Sequence, residues 1–110
     1  MTLTEKRLGA GRYNNTTVNT VYTVPASTTA IIRSIRLCNT STATATFRLF
    51  LVPTGGTADQ TTAIYYDVTL GANETLGDDA FHVLVTAGTV QFSNGTANAI
   101  TITISGAEIS

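Results

Sequence analysis

The chemistry-bearing residues of this chain crowd into one short run, "DDAFH", which sets Asp78, Asp79 and His82 close together. Two carboxylates and an imidazole are metal-ligand types. On a strand, Asp78 and His82 share one face and Asp79 takes the other, because side chains alternate. That spacing suits a partly exposed histidine in a turn-to-strand region better than a metal site. His82 is the single histidine, so a serine triad would have to use it too, and no G-x-S-x-G elbow accompanies it. Cys38 is the single cysteine. It excludes an intramolecular disulfide and reads as a small hydrophobe inside a strand. Gly55-Gly56 lacks the Gly-Lys-Ser/Thr that completes a phosphate loop. Asp67, Glu74, Asp78 and Asp79 offer oxygen ligands for calcium but no EF-hand pattern. A solvated or partner-facing acidic edge fits them better. The expectation is a protein that is not an enzyme and uses no cofactor or metal.

The layout of charge is more informative. The cations Lys6, Arg7, Arg12, Arg33, Arg36 and Arg48 come early, and most acids come later. One copy's basic segment could meet another copy's acidic edge or an acidic neighbour; pairing within the chain explains the layout about as well. Arginine suits interfaces because its planar fork offers several donors. The candidate interface residues are therefore Lys6, Arg7, Arg12, Arg33, Arg36, Asp78 and Asp79. Two of them interrupt an apolar run, "IIRSIRLCN" (31–39). Three apart in a strand, Arg33 and Arg36 should point to opposite faces. With Ile31, Ile35 and Leu37 inward, Arg36 faces out with Ser34 and Arg33 breaks the core face. An unpaired buried charge is very costly. Arg33 thus calls for a sheet rim, a carboxylate partner, a subunit interface, or a β-bulge near Ser34.

The elements that must position these residues are strands. A chain of 110 residues makes one domain. About a fifth of it is threonine, and threonine, valine and isoleucine fit a pleated surface better than a helix. The charged share, 12%, is about half the usual value and points to a surface covered in the working state. A net charge of -1 argues against nucleic acid. No apolar run is long enough for a transmembrane helix, and no apolar block follows the first cations as in a secretory signal. The five Asn-x-Thr/Ser sequons reflect abundant threonine.

Residues 1–15, with "GAG" at 9–11, read as an extended N-terminal arm, and 16–110 as the β domain. Alternating runs follow between turn signals. Thr16–Val24 aligns Val18, Tyr22 and Val24. Thr44–Val52 aligns Phe47, Leu49 and Leu51, and Thr62–Leu70 aligns Ile64, Tyr66, Val68 and Leu70. Leu76–Val85 aligns Phe81, Val83 and Val85; Thr89–Ser93 turns Val90 and Phe92 inward. The last run alternates Ile100, Ile102 and Ile104 with threonines. Seven or eight such strands predict an all-β protein, an antiparallel two-sheet β-sandwich with jelly-roll-like or Ig-like strand order.

Four segments carry a resemblance: "YTVPASTTAIIRSIRLCNTS", "LGANETL", "VLVTAGTVQF" and "ITISGAEI". They resemble small β-rich virion structural proteins of tailed bacteriophages. The matched positions are Tyr22–Ala26, Ile31–Asn39, Leu70–Leu76, Ala87-Gly88 and Ile104–Glu108, with Thr89 departing where an aspartate is typical. The resemblance implies a capsid decoration (cement) protein, often a homotrimer. It would be made in the host cytoplasm and bind the major capsid protein on the outer surface of the head. Similar sandwiches serve in tails, baseplates and fibres. A receptor- or carbohydrate-binding module, drawing on Tyr65, Tyr66 and Asp67, and a head-tail adaptor are therefore the alternatives.

Overall fold

Runs rich in β-branched residues form the strands, and the polar turn clusters between them form the loops. The computed structural model describes residues 2–79 and 81–110; Met1 and Ala80 lie outside them. Nine strands follow in order: β1 (Leu3–Arg12), β2 (Asn19–Thr23), β3 (Thr29–Asn39), β4 (Ala45–Val52), β5 (Ala63–Leu70), β6 (Thr75–Asp78), β7 (His82–Leu84), β8 (Thr89–Asn94) and β9 (Ile100–Ile109). One sheet has the order β1-β9-β3-β6, with β7 also on β3; the other is β2-β8-β4-β5. Every pairing is antiparallel.

β6 and β7 pair with successive halves of β3, opposite residues 35–38 and 30–32. They therefore occupy one edge of the sheet as two pieces. Counted that way, the first strand pairs the last, the second pairs the second-last, the third pairs β6/β7, and β4 pairs β5. Such a hairpin, rolled so that β9 meets β3 and β8 meets β4, is a jelly roll. The expected two-sheet sandwich is found, and its strand order is jelly-roll rather than Ig-like. The strand count is nine because one edge is broken.

Alternation selects the core wherever the ladder is regular. Phe47, Phe92, Leu49, Val90, Ile100, Ile102 and Ile104 are fully buried, together with Ile32, Ile35 and Leu37. The Phe47 ring lies 5.8 Å from Tyr65 and 6.3 Å from Phe92, centroid to centroid. Register shifts interrupt the ladders of β1, β2, β3 and β5, and those in β1, β3 and β5 move a side chain to the face its sequence position disfavours. In β1 the register shifts between Arg7 and Gly9, and Leu8 turns into the core. In β3 it shifts between Ile32 and Ser34, so Ile32, not Ile31, is the buried isoleucine. In β5 it shifts opposite Arg48, which brings Tyr66 out and leaves Tyr65 packed against the core.

The segment read as an extended N-terminal arm, residues 1–15, is mostly strand β1, hydrogen-bonded along its length to β9 of the same chain. Thr2 and Ser110 exchange backbone hydrogen bonds at 2.7 and 2.9 Å. Gly9 serves the close approach of β1 to β2, since a Cβ there would lie 2.7 Å from the Val21 carbonyl oxygen. Gly106 is tighter still. It faces the bulge in β3, and a Cβ would collide with the Ile31 carbonyl oxygen.

Buried Asn39 ties one end of the sandwich. Its Nδ2 donates to the carbonyls of Ala43, Leu70 and Gly71, and its Oδ1 accepts from the Ser41 amide and hydroxyl. One side chain thus joins the β3–β4 and β5–β6 connections. Gly106→Ala is expected to destabilise the fold by about 3 kcal/mol, and Asn39→Ala by about 2 kcal/mol. Urea unfolding of each variant checks both; a Gly106→Ala protein as stable as the parent removes the steric account of the bulge.

Candidate functional site

The bulge in β3 decides where the arginines point. Arg33 occupies the extra position, so Arg33 and Arg36 both lie exposed on the outer face of the β1-β9-β3-β6 sheet instead of on opposite faces. Register partners share a face. Arg7 pairs Ser105 and Arg12 pairs Thr101, on the side of β9 opposite the buried Ile102 and Ile104. Four of the seven candidate residues, Arg7, Arg12, Arg33 and Arg36, are thereby gathered on one surface. Asp79 joins them: its Oδ1 pairs with Arg36 Nη1 at 3.0 Å. The Arg36 guanidinium lies across Gly77, where a Cβ would displace it.

The other half of this face is apolar. Leu3 is 62% exposed, Phe81 61%, Val83 51% and Val85 58%. Ile31 is directly opposite Val83 in the ladder. Between them lies a cleft of about 570 Å³, floored by Ser105, Gly106 and Ala107 and flanked by Glu5, Arg33 and Phe81. The Arg33 guanidinium sits 5.7 Å from the Phe81 ring centroid. It meets its expected bulge and an aromatic face, and it makes no ion pair among the described residues. Monomeric surfaces rarely carry so many large apolar side chains together.

The alternation of Phe81, Val83 and Val85 was legible in sequence, but its direction was not. The partner positions His82 and Leu84 also include an apolar residue, and it is Leu84 that is buried. Leu3 gave no signal at all, being one leucine in a charged segment. Cys38 lies half-buried on the outer side of β3, not in the core.

Lys6 and Asp78 leave this surface for the flanks of the sandwich. At one flank Tyr22 Oη donates to Glu108 Oε2 at 2.6 Å, and Lys6 Nζ donates to Glu108 Oε1 at 3.2 Å. At the other, Tyr65 Oη donates to Asp78 Oδ2 at 2.9 Å, and His82 Nε2 lies 3.3 Å from the same oxygen. Asp78 is buried and His82 half-buried. Asp78 and His82 do share a face, with Asp79 on the other, as the spacing required. Among the described residues, no three His, Cys, Asp or Glu side chains converge to hold a metal ion.

Each flank is a tyrosine-to-carboxylate clasp between the two sheets. Burial, then the hydrogen bond to Asp78, pushes the Tyr65 pKa from 10.0 up to about 12. Burial and the bond to Glu108 raise Tyr22 as well. The bond from Tyr22 holds the Glu108 carboxyl below its ordinary value.

No family model matches the chain, and no curated protein matches it. One similar solved structure is described as "Structure of infectious bursal disease virus Gx strain". It is 14% identical with a TM-score of 0.48, and the match covers 97% of this chain and 30% of that one. The chain thus spans about a third of its neighbour's length, and a likeness of that size carries no argument about function.

The clasps make the fold alkali-sensitive. The folded state holds the Tyr65 proton more tightly than the unfolded chain, so this stabilisation is complete below pH 10 and lost as pH rises through about 12. Tyr65→Phe is expected to flatten the fall of stability across that window, measured by urea unfolding at stepped pH. An unchanged slope in the variant contradicts the clasp.

Proposed function

We propose that this protein is a virion structural protein, a capsid decoration (cement) protein of the kind found on tailed bacteriophages. In this reading it docks on the major capsid protein with the outer face of the β1-β9-β3-β6 sheet. The observation that carries the reading is that face: a strip of exposed Leu3, Phe81, Val83 and Val85 with half-buried Ile31, beside four arginines, on a protein of otherwise low charge. Apolar anchors rimmed by arginine are the composition of protein-protein contacts. The jelly-roll strand order suits a shell protein, since that architecture recurs in viral capsids. The sequence segments that resemble phage virion proteins support the same reading.

A cement protein needs many modest contacts instead of one strong one. The shell fixes neighbouring copies and raises their effective concentration. Copies of this chain can also meet one another, as a homotrimer at a capsomer junction. The basic edge strand β1 and the edge carrying Asp79 lie on opposite sides of the same sheet, so a head-to-tail ring would bring Arg7 and Arg12 toward the next copy's Asp79. The protein would then sit on the outer surface of the head after synthesis in the host cytoplasm.

Two measurements test this. Quantified on purified heads, the protein is expected near the copy number of the capsid protein, and heads lacking it are expected to lose heat or pressure resistance. A handful of copies per particle overturns the reading. Replacing Phe81 and Val83 together with aspartate removes exposed side chains only, so folding should persist while binding to bare heads falls by at least tenfold, about 1.4 kcal/mol. Undiminished binding by the folded variant moves the docking site elsewhere.

A further inference from the structure

The opposite face of the molecule, the outer side of the β2-β8-β4-β5 sheet, carries a polar groove that the docking surface does not use. Its construction starts with a left-handed residue. Asp67 adopts φ +53, a conformation that aspartate and asparagine take more readily than other side chains. It belongs to the bulge in β5, which sets both Tyr66 and Asp67 opposite Arg48. Both residues are exposed. Arg48 Nε reaches Asp67 Oδ1 at 2.6 Å and Arg48 Nη2 reaches Oδ2 at 3.2 Å. The same guanidinium lies 4.1 Å from the Tyr66 ring centroid. A bulge re-aims side chains and is over-represented beside functional sites.

The groove has a second wall. The β4–β5 loop, residues 53–62, folds over the sheet and is held by its own hydrogen bonds: Asp59 Oδ1 accepts from the Thr61 amide and hydroxyl, and Thr62 Oγ1 donates to the Thr57 carbonyl. Phe50, on the outer side of β4, is only 2% exposed. It floors a cleft of about 480 Å³ between the loop residues Asp59, Gln60 and Thr61 and the sheet residues Arg48 and Tyr66. Arg48 and Asp67 also line an adjoining polar cleft of about 280 Å³. Asn94 lines that one, and its buried Oδ1 has no hydrogen-bond partner among the described residues.

The geometry points to a binding site for a neutral saccharide. The exposed part of the Tyr66 ring accepts the C–H face of a sugar, while planar amide, carboxylate and guanidinium groups in fixed positions pair with its hydroxyls. Asp59 and Asp67 outnumber Arg48, and Arg48 is already engaged by Asp67, so an anionic sugar is disfavoured. Hydrogen bonds from Thr61 and from Arg48 hold the two carboxyls below their ordinary pKa, keeping them as acceptors. The inference is independent of the capsid reading: a docked first sheet leaves this one facing solvent, and a protein with another role would keep the same groove.

A glycan array probed with the labelled full chain, followed by amide-shift titration with lactose, maltose and N,N′-diacetylchitobiose, tests it. Retention of neutral glycans is expected, with saturable shifts at residues 48, 58–61, 66 and 67. Tyr66→Ala should weaken binding at least about tenfold without changing thermal unfolding, since the ring is exposed. Gln60→Ala should weaken it also, and Arg36→Ala, on the other sheet, should leave it intact. Failure of every glycan to bind, preferential binding of sulfated or sialylated glycans, or shifts outside the groove overturns the inference.

Discussion

One extra residue in β3 governs much of this molecule. β3 and β9 form the longest ladder, and β9 continues straight past the point where Arg33 is inserted. The insertion is accommodated only because residue 106 has no side chain, leaving the Ile31 carbonyl room to press against it. From there the consequences are geometric. The residues before and after the bulge keep the same faces, so Ile32 and Ile35 both reach the core while Arg33 and Arg36 both leave it. The neighbouring edge breaks at the same height into β6 and β7. Phe81, in that break, comes to lie against the Arg33 guanidinium. The costly alternative, a cation buried in the sandwich, is avoided by a change in backbone path rather than by a counter-ion.

What could be read beforehand follows the same logic. Period-two alternation identifies the inward residues of β8, β9 and the first half of β4, because the inserted residues lie on their partner strands. It fails where a bulge shifts the phase by one, and single-residue insertions leave no trace in composition. Leu8 looks like part of a charged segment, Ile31 like the core member of its pair, and Tyr66 like the inward tyrosine. In the folded chain Leu8 is buried, Ile32 replaces Ile31, and Tyr65 replaces Tyr66. Phe50 illustrates a different limit. Its phase is read correctly as outward, but the β4–β5 loop folds back over it. For the candidate site, the residue types were legible: arginines suited to an interface and an aromatic-acidic run. Their shared faces were not, since face membership is a property of register.

The two sheets present contrasting surfaces. The first is apolar and basic, and among the described residues Arg36 is the one arginine on it with an ion-pair partner. The second is polar, and its one guanidinium is locked to a carboxylate and a ring. The tyrosine clasps at the flanks fasten these surfaces together through Glu108 and Asp78. Each clasp buries a neutral hydroxyl against a carboxylate, which secures the open sides of the sandwich without requiring a cation in the interior.

The placement of β9 bears on how the chain reaches this state. The last strand in sequence lies between β1 and β3, and it is the only strand that joins the first to the rest of its sheet. Leu3 meets Ile109, so this pairing closes a loop spanning nearly the whole chain. Such non-local contacts slow folding, because the entropy of closure precedes the gain from burial. On a ribosome, β1 would emerge early and wait unpaired, and β3 would keep one open edge, until β9 cleared the exit tunnel. Completion of the first sheet is therefore a late event, whereas β4 and β5, consecutive in sequence, are free to pair as soon as both are made.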